Sequence, residues 1–150
     1  MLCAVTRAKR ALVNTMIKTY RELRRRETLE ERFQYLSLGG RVGYSIFGFE
    51  RWMNQKFYTS KQWRDIRNVI IARDNGCDLG IEGHEIHDRV LIHHMNPITP
   101  EDLRKGLGHV LDPEFLICVR HSTHNAIHYG DAKLLPRQVI QRTAGDTKLW

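Results

Sequence analysis

Residues 90–130 constrain this chain more than any other stretch, because they hold two pairs of histidines at two different spacings. His93 and His94 are adjacent, whereas His124 and His128 are four residues apart. Adjacent side chains on a strand point to opposite faces, and side chains four residues apart on a helix share one face. A fold that brings these four imidazoles together would create a metal site with one free histidine beside it.

The local patterns around the histidines predict the elements that carry them. Residues 85–93 form a β-type run, and residues 115–119 form an apolar strand. Ser122 or Thr123 at a cap position and Gly130 at the end predict a helix around the second histidine pair. The order strand, loop, strand, helix would place the two pairs side by side.

The N-terminal part of the chain predicts a basic helix over residues 4–27, where apolar residues recur at near-helical spacing among many arginines. Two interpretations of this helix stay open. It is either an arm that follows nucleic-acid phosphates or a solvated helix face with some partner-docking surface.

Two capping-box patterns predict further helices between this arm and the histidines. Thr28 with Glu31 predicts a short helix, and Thr59 with Gln62 predicts a longer one. A hydroxyl at the cap and an acid or amide three residues later bond each other's backbone N–H groups, which is why this spacing marks a helix start.

Two further elements are predicted on either side of the first histidine pair. Residues 77–81 and 85–93 are β-type runs separated by a short turn, which predicts a β-hairpin. After the histidines, Thr99 and Pro100 predict a short helix that extends to about Lys105.

Charge and hydropathy favour a polyanionic partner such as nucleic acid. Lys and Arg total 24 against 17 Asp and Glu, so the net charge is +7. No apolar run is long enough to cross a bilayer, and no signal peptide is expected.

The cysteines exclude two common kinds of small scaffold. Cys3, Cys77 and Cys118 are far apart and form no CxxC pair, which argues against a zinc ribbon and against a disulfide framework. A reducing cytoplasm fits this usage best.

The motif residues resemble a known family of nucleases. The runs LIHHMNP, LIC and THNAIHYG, at residues 91–97, 116–118 and 123–130, look like the ββα-metal core of HNH endonucleases, the His-Me finger. TLEERF, NQKFY and NGCDLG, at residues 28–33, 54–58 and 75–80, extend the resemblance to HNH proteins of tailed bacteriophages. The resemblance implies an α+β fold in which N-terminal helices precede a ββα-metal core without zinc-knuckle cysteines. It divides the chain into a basic helical extension, an HNH nuclease domain and a C-terminal tail, at residues 1–58, 59–135 and 136–150.

The same resemblance implies roles for the four histidines. His93, His124 and His128 would be the metal ligands, as in colicin-type members, and His94 would be the general base. Three imidazoles suit Zn²⁺, Ni²⁺, Co²⁺ or Mn²⁺ better than Mg²⁺, which prefers oxygen ligands.

One position departs from the family pattern. Phe115 stands where family members have the asparagine that braces the loop and orients the base, and phenylalanine has no side-chain hydrogen bond to offer. We therefore expect Asn96, Asn125 or a backbone carbonyl to orient His94. Three cations near the motif are candidates to bind phosphate, although each also fits an ordinary surface arginine: Arg73, Arg89 and Arg120.

The function implied by the resemblance is metal-dependent hydrolysis of DNA phosphodiester bonds. Phage proteins of this kind often act with terminase subunits in DNA packaging, in the cytoplasm of the bacterial host. The alternative is a non-catalytic DNA-binding or packaging accessory protein with a structural metal site. A secreted nuclease toxin is a third interpretation, weakened because the chain carries no export or receptor domain.

Overall fold

The computed structural model describes residues 16–37, 51–106, 108–137 and 143–145, and within them the chain is α+β. The helices and strands in chain order are α1 (Tyr20–Leu23), α2 (Leu29–Leu36), α3 (Arg51–Tyr58), α4 (Lys61–Arg73), β1 (Leu91–His94), α5 (Pro100–Lys105), β2 (Leu116–Val119) and α6 (His121–Tyr129). Short 3-10 turns lie at Asp78–Gly80, Gly108–Val110, Pro113–Phe115 and Ala132–Leu134. In the described part of the chain, no helix is both long and apolar enough to cross a bilayer.

The sheet consists of β1 and β2, which pair antiparallel. His93 lies opposite Ile117, and His94 lies opposite Leu116. All four residues of β2 are buried, so this short strand lies inside the molecule with both faces covered. The chain then passes from β2 almost directly into α6.

The β-hairpin predicted ahead of the histidines is wrong. It is reduced to one isolated bridge between Cys77 and Glu85, and the strand begins only at Leu91. Asp78 turns into the interior and Leu79 adopts a left-handed backbone with φ of 52°, which is incompatible with a continuous strand.

The helix starts in the first half of the chain are partly as predicted. The capping box of Thr28 and Glu31 is present at α2 and confirms that helix. At α4 the cap is Ser60, whose Oγ accepts the N–H of Trp63 at 3.1 Å. The prediction that Thr59 caps this helix is wrong, because its hydroxyl donates a hydrogen bond to the carbonyl of Gln55 in the preceding helix.

The helices on either side of β2 also test the predicted caps. The predicted helix after residue 99 is confirmed as α5, where Thr99 and Asp102 form a capping box. α6 ends at Gly130, as predicted, with φ of 68°. It begins two or three residues earlier than expected, with Arg120 at the cap position, so the prediction that Ser122 or Thr123 caps it is wrong.

The continuous basic helix predicted for residues 4–27 is wrong in its described part, which starts at residue 16. The chain is not helical before Thr19, which caps the four-residue helix α1 by accepting the N–H of Glu22 at 3.3 Å. Lys18 lies outside the helix, and its backbone N–H and C=O both bond the side chain of Asn96 at 2.8 Å. Residues 4–15 lie outside the described residues.

The core has two parts, which lie on the two faces of β2 because its side chains alternate. Leu116 and Cys118 pack with Trp63 and Ile70 of α4. Ile117 and Val119 pack with buried residues from three helices: Leu23, Leu29, Phe33, Leu36, Ala126 and Ile127. Each fully buried aliphatic side chain contributes roughly 1.5–3 kcal/mol to folding. Helices α1 and α2, from the predicted N-terminal extension, therefore share a core with β2 and α6.

The predicted boundaries after residues 58 and 135 stay predictions. Of the predicted tail, residues 136–137 and 143–145 belong to the described residues.

Candidate metal centre

His93, His124 and His128 lie together where β1 meets α6. Each offers one ring nitrogen, and these nitrogens all lie within 4.8 Å of one another. The ring centroids are 5.4 Å apart for His93 and His124, 5.2 Å for His93 and His128, and 4.4 Å for the two residues of α6. The structure thus brings together the three histidines that the sequence grouped as metal ligands.

Strand alternation and helix periodicity together produce this arrangement. His93 is 4% exposed and points towards α6, on the same face of the sheet as the side chains of the larger core part. His124 and His128 are one turn apart on α6 and therefore reach the same point from the other side. The sequence between β2 and α6 is short, which fixes the distance from strand to helix.

Asp78 holds the start of α6, although sequence reasoning assigned it no role. Its buried carboxylate accepts the backbone N–H of Arg120 at 3.1 Å and the hydroxyl of Thr123, and it lies 3.6 Å from the Arg120 guanidinium. Arg120 occupies the cap position and its side chain makes no cap hydrogen bond, so Asp78 ties down the start of α6 through the Arg120 N–H and the Thr123 hydroxyl instead. The sequence gives one hint of this role, since Asp78 lies between the apolar residues Cys77 and Leu79. A carboxylate that is buried with such neighbours requires polar partners.

The three clustered histidines are neutral at physiological pH. Burial lowers the pKa of His93 well below its usual value, and the neighbouring His124 and His128 lower it further by repulsion. Burial also lowers the pKa of His124 and of His128. Neutral imidazole is the form that binds metal, since its nitrogen lone pair is free.

The donor set fits one divalent transition-metal ion. Three imidazoles leave a fourth position open, the arrangement found in catalytic zinc sites, and they match Zn²⁺, Ni²⁺, Co²⁺ or Mn²⁺ better than Mg²⁺. The group found in the described residues contains no carboxylate, so it lacks the oxygen ligands that Mg²⁺ prefers.

His94 points to the other face of the sheet and has different neighbours. Its ring stacks on Trp63 with centroids 5.4 Å apart and planes 18° from parallel. Its Nε2 lies 3.0 Å from the carbonyl oxygen of Val110. A carbonyl only accepts, so Nε2 carries the hydrogen and donates it, which leaves the lone pair on Nδ1. Burial lowers the pKa of His94 to about 4, so the ring is neutral at pH 7.

The two asparagines expected to orient His94 do not do so. Both polar atoms of the Asn96 side chain bond the backbone of Lys18 at 2.8 Å. The amide nitrogen of Asn125 lies 3.5 Å from Nδ1 of His121. The prediction is corrected in favour of the third alternative, a backbone carbonyl, because the bonded nitrogen of His94 contacts Val110.

Phe115 braces the loop after β1 through its backbone. Its carbonyl oxygen accepts the N–H of Met95 at 2.9 Å, which ties the residue after His94 to the start of β2. The missing side-chain amide is therefore partly offset by a main-chain bond at the same position.

Two of the three arginines proposed as phosphate ligands are used inside the protein. Arg73 bonds Asp74 at 2.7 Å and 3.0 Å and also bonds the carbonyls of Pro113 and Leu116. Arg120 pairs with Asp78 and bonds a carbonyl at 2.8 Å. Arg89 is exposed and has no side-chain partner among the described residues, so it alone of the three is available to a ligand.

Comparison with known proteins gives no relative for this chain. No protein-family model matches it, and no significant match was found among curated proteins or among solved structures.

Proposed function

We propose that this chain is a metal-dependent DNA endonuclease of the HNH class, built on a ββα-metal core. One observation carries the proposal: His94, a neutral histidine whose Nδ1 has no hydrogen-bond partner among the described residues, is adjacent in the chain to a cluster of three neutral imidazoles. General-base catalysis needs the first feature and a transition-metal site needs the second.

The order of the elements supports the assignment to this class. β1 carries His93 and His94, β2 returns antiparallel beside it, and α6 carries the other two histidines. The motif residues in the sequence resemble HNH endonucleases over the same three elements. The ligands would be His93, His124 and His128.

Hydrolysis would place one proton transfer on His94. Its Nδ1 would take a proton from water while the water oxygen bonds to phosphorus and the bond from phosphorus to the 3′ oxygen breaks. The leaving 3′ oxygen would take a proton from solvent and His94 would return its proton to solvent, so the products would be a 5′-phosphate and a 3′-hydroxyl. A bound divalent ion supplies Lewis-acid stabilisation of the charge on the phosphate and on the leaving oxygen.

The surroundings of His94 suit this role because they hold one tautomer. The hydrogen bond to Val110 keeps the hydrogen on Nε2, and the Trp63 ring restricts rotation of the imidazole. A base that is already oriented loses little entropy when the substrate arrives.

The biological setting is proposed from the resemblance alone. A phage-encoded protein of this class would act on DNA in the cytoplasm of the bacterial host, together with terminase subunits during packaging.

The decisive experiment is a plasmid-cleavage assay with the metal-stripped chain and added Mn²⁺, Ni²⁺, Zn²⁺ or Mg²⁺. We expect cleavage with at least one transition metal, and we expect His94→Ala to reduce the rate by about 10²–10⁴-fold. His87→Ala is the matched control, since His87 is exposed and lies outside the cluster. If the wild-type chain leaves supercoiled plasmid intact with every ion, the enzymatic proposal fails.

A second candidate function is a non-catalytic DNA-binding or packaging accessory protein with a structural metal site. Two observations favour it: Phe115 has no side-chain amide, and a pKa of about 4 makes His94 a weaker proton acceptor than a free imidazole. Retained binding of metal and DNA without cleavage of any DNA form would support this candidate.

A further inference from the structure

A cleft on the surface between α1 and the Pro113–Phe115 turn is lined mainly by arginines. Its lining residues are Tyr20, Arg21, Arg24, Arg25 and Glu114, and its volume is about 380 Å³. We call it the arginine cleft. A volume of this size accommodates a phosphate with its sugar, together with water.

The cations of the arginine cleft are available to a ligand. Arg21, Arg24 and Arg25 are exposed, and the described residues place no carboxylate in an ion pair with any of them. Arg26 differs, because it bonds the carbonyl of Glu22 at 2.7 Å and stacks on a tyrosine ring.

The acids near the arginine cleft are already engaged. The Glu22 carboxylate accepts the hydroxyl of Tyr35 at 2.9 Å, and Oε1 of Glu114 accepts the backbone N–H of Arg21 at 3.0 Å. The lining therefore holds three guanidinium groups against the single carboxylate of Glu114.

The wall of the arginine cleft is anchored to the interior. The Tyr20 ring lies 3.5 Å from the guanidinium of Arg73, which is itself bonded to Asp74 and to two backbone carbonyls. Arg21 in α1 and Arg24 and Arg25 just after it therefore start from a hydrogen-bonded backbone, which reduces the entropy lost when their guanidinium groups bind a ligand.

The arginine cleft lies at the end of the sheet that carries His94. Glu114 precedes β2 by two residues, and the first residue of β2, Leu116, pairs with His94. A separation of two residues along the chain is at most about 7 Å, a span close to two nucleotides of rise along one DNA strand.

We propose that the arginine cleft binds the phosphates of the DNA strand that flanks the scissile bond. This inference rests on the proposed function in that DNA is the substrate. Arginine forks match phosphate oxygens in geometry, and the contact would be independent of base sequence. The partner is a nucleic-acid backbone rather than an acidic protein, because the cleft sets three guanidinium groups against one carboxylate and a DNA strand presents a regular row of negative charges.

The test measures binding of a fluorescent 20-base-pair duplex in EDTA, where no metal supports cleavage, at several salt concentrations. The variant is Arg21→Gln/Arg24→Gln/Arg25→Gln. We expect the slope of log K against log salt to become less steep by about 3 × 0.9, so the affinity gap between wild type and variant should widen about 40-fold from 200 to 50 mM salt.

The matched control removes the same formal charge elsewhere. Arg64→Gln/Arg104→Gln/Lys133→Gln changes three exposed cations on other elements and should leave the slope within about 0.5 of wild type. An equal loss in both triple variants would mean that net charge alone drives binding, which overturns the proposal. Thermal unfolding of both variants checks that each is folded.

Two further outcomes separate this inference from the proposed function. If the wild-type chain cleaves DNA but the triple arginine variant binds DNA as wild type does, the arginine-cleft proposal is wrong and the nuclease proposal is retained. If DNA binding depends on the three arginines but no DNA is cleaved, the nuclease proposal is wrong and the arginine-cleft proposal is retained. Displacement of the duplex by poly-glutamate at equal charge, with tighter binding of the peptide than of DNA, would assign the cleft to an acidic protein instead.

Discussion

His93 and His94 are neighbours on β1, yet the two faces of the strand give their rings different surroundings. The His93 face meets two more histidines on α6, and all three rings present free nitrogens to one point. The His94 face meets Trp63 and the Val110 carbonyl, and one ring nitrogen is used by that bond. The first face forms a site that three imidazoles share, whereas the second face fixes the orientation of one imidazole.

The comparison shows how one fold makes two kinds of histidine from one dipeptide. Both rings are buried and neutral, so burial alone does not distinguish them. The neighbours do: a cluster of acceptors suits a cation, whereas a carbonyl on Nε2 fixes a tautomer whose Nδ1 can take a proton. Four predictions, in order of decreasing expected effect, test this difference between the two faces.

Loss of Asp78 should affect the three-histidine face most. Asp78→Ala removes the ion-pair partner of the Arg120 guanidinium and the acceptor of the Arg120 N–H and the Thr123 hydroxyl, so we expect the free energy of unfolding to fall by about 3–5 kcal/mol. Urea unfolding at pH 7 measures the change. Asp88→Ala, on an exposed residue, is the control. A change below about 1 kcal/mol would show that α6 does not depend on this carboxylate.

Metal affinity should separate the two faces directly. His93→Ala removes one of three ligands, and we expect Zn²⁺ affinity to fall by more than about 100-fold, whereas His94→Ala should change it by no more than about twofold. Titration against a chromophoric chelator measures both. Equal losses in the two variants would mean that His94 also binds the ion and that the contrast between the faces is false.

Acid should destabilise the metal-free chain. The pKa of His94 is about 4 in the folded chain and about 6.5 when unfolded, so the unfolded state binds more protons between these values and stability falls as pH falls. From pH 7 to pH 5 the loss from His94 alone is about 1–2 kcal/mol. Denaturant unfolding in EDTA at both pH values measures it.

Two variants assign this loss to one ring. His94→Gln should remove its share of the pH dependence, and His87→Gln, on the exposed surface, should remove none. Saturating Zn²⁺ should reduce the remaining acid loss, because a metal-bound nitrogen takes no proton until the ion leaves, and it should not change the share of His94. A pH dependence that persists unchanged in His94→Gln contradicts the assignment.

The smallest effect is expected from the ring that stacks on His94. Trp63→Leu frees the imidazole to rotate and opens it to water, so we expect cleavage to slow by about tenfold without loss of Zn²⁺ affinity. The pKa of His94 should rise towards 6.5 because its desolvation is relieved, which shifts the acid limb of the pH profile upward. Trp63→Phe should restore most of the rate. An unshifted acid limb would mean that Trp63 contributes packing only.

Local rules predicted a large part of the fold. The capping box at α2, the helix α5 that starts after Thr99, and the end of α6 at Gly130 follow from residues within one turn of each other, and these predictions are confirmed. The wrong predictions concern segments that form hydrogen bonds with residues far away in the sequence. The hairpin fails because Asp78 turns inward to α6, and the basic helix fails before Thr19 because Asn96 holds the preceding residue.

The candidate site divides in the same way. The periods of strand and helix imply that one of His93 and His94 shares a face with the pair on α6 while the other points away, and the resemblance implied that His93 is the one that shares it. Three further features depend on the tertiary structure: Val110 orients His94, Asp78 holds α6, and the arginines of the arginine cleft are exposed whereas Arg73 is bonded inside the protein. The spacing of residues along a strand or helix determines which way nearby side chains point. The partner of a buried polar group depends instead on which distant residue the packing places beside it.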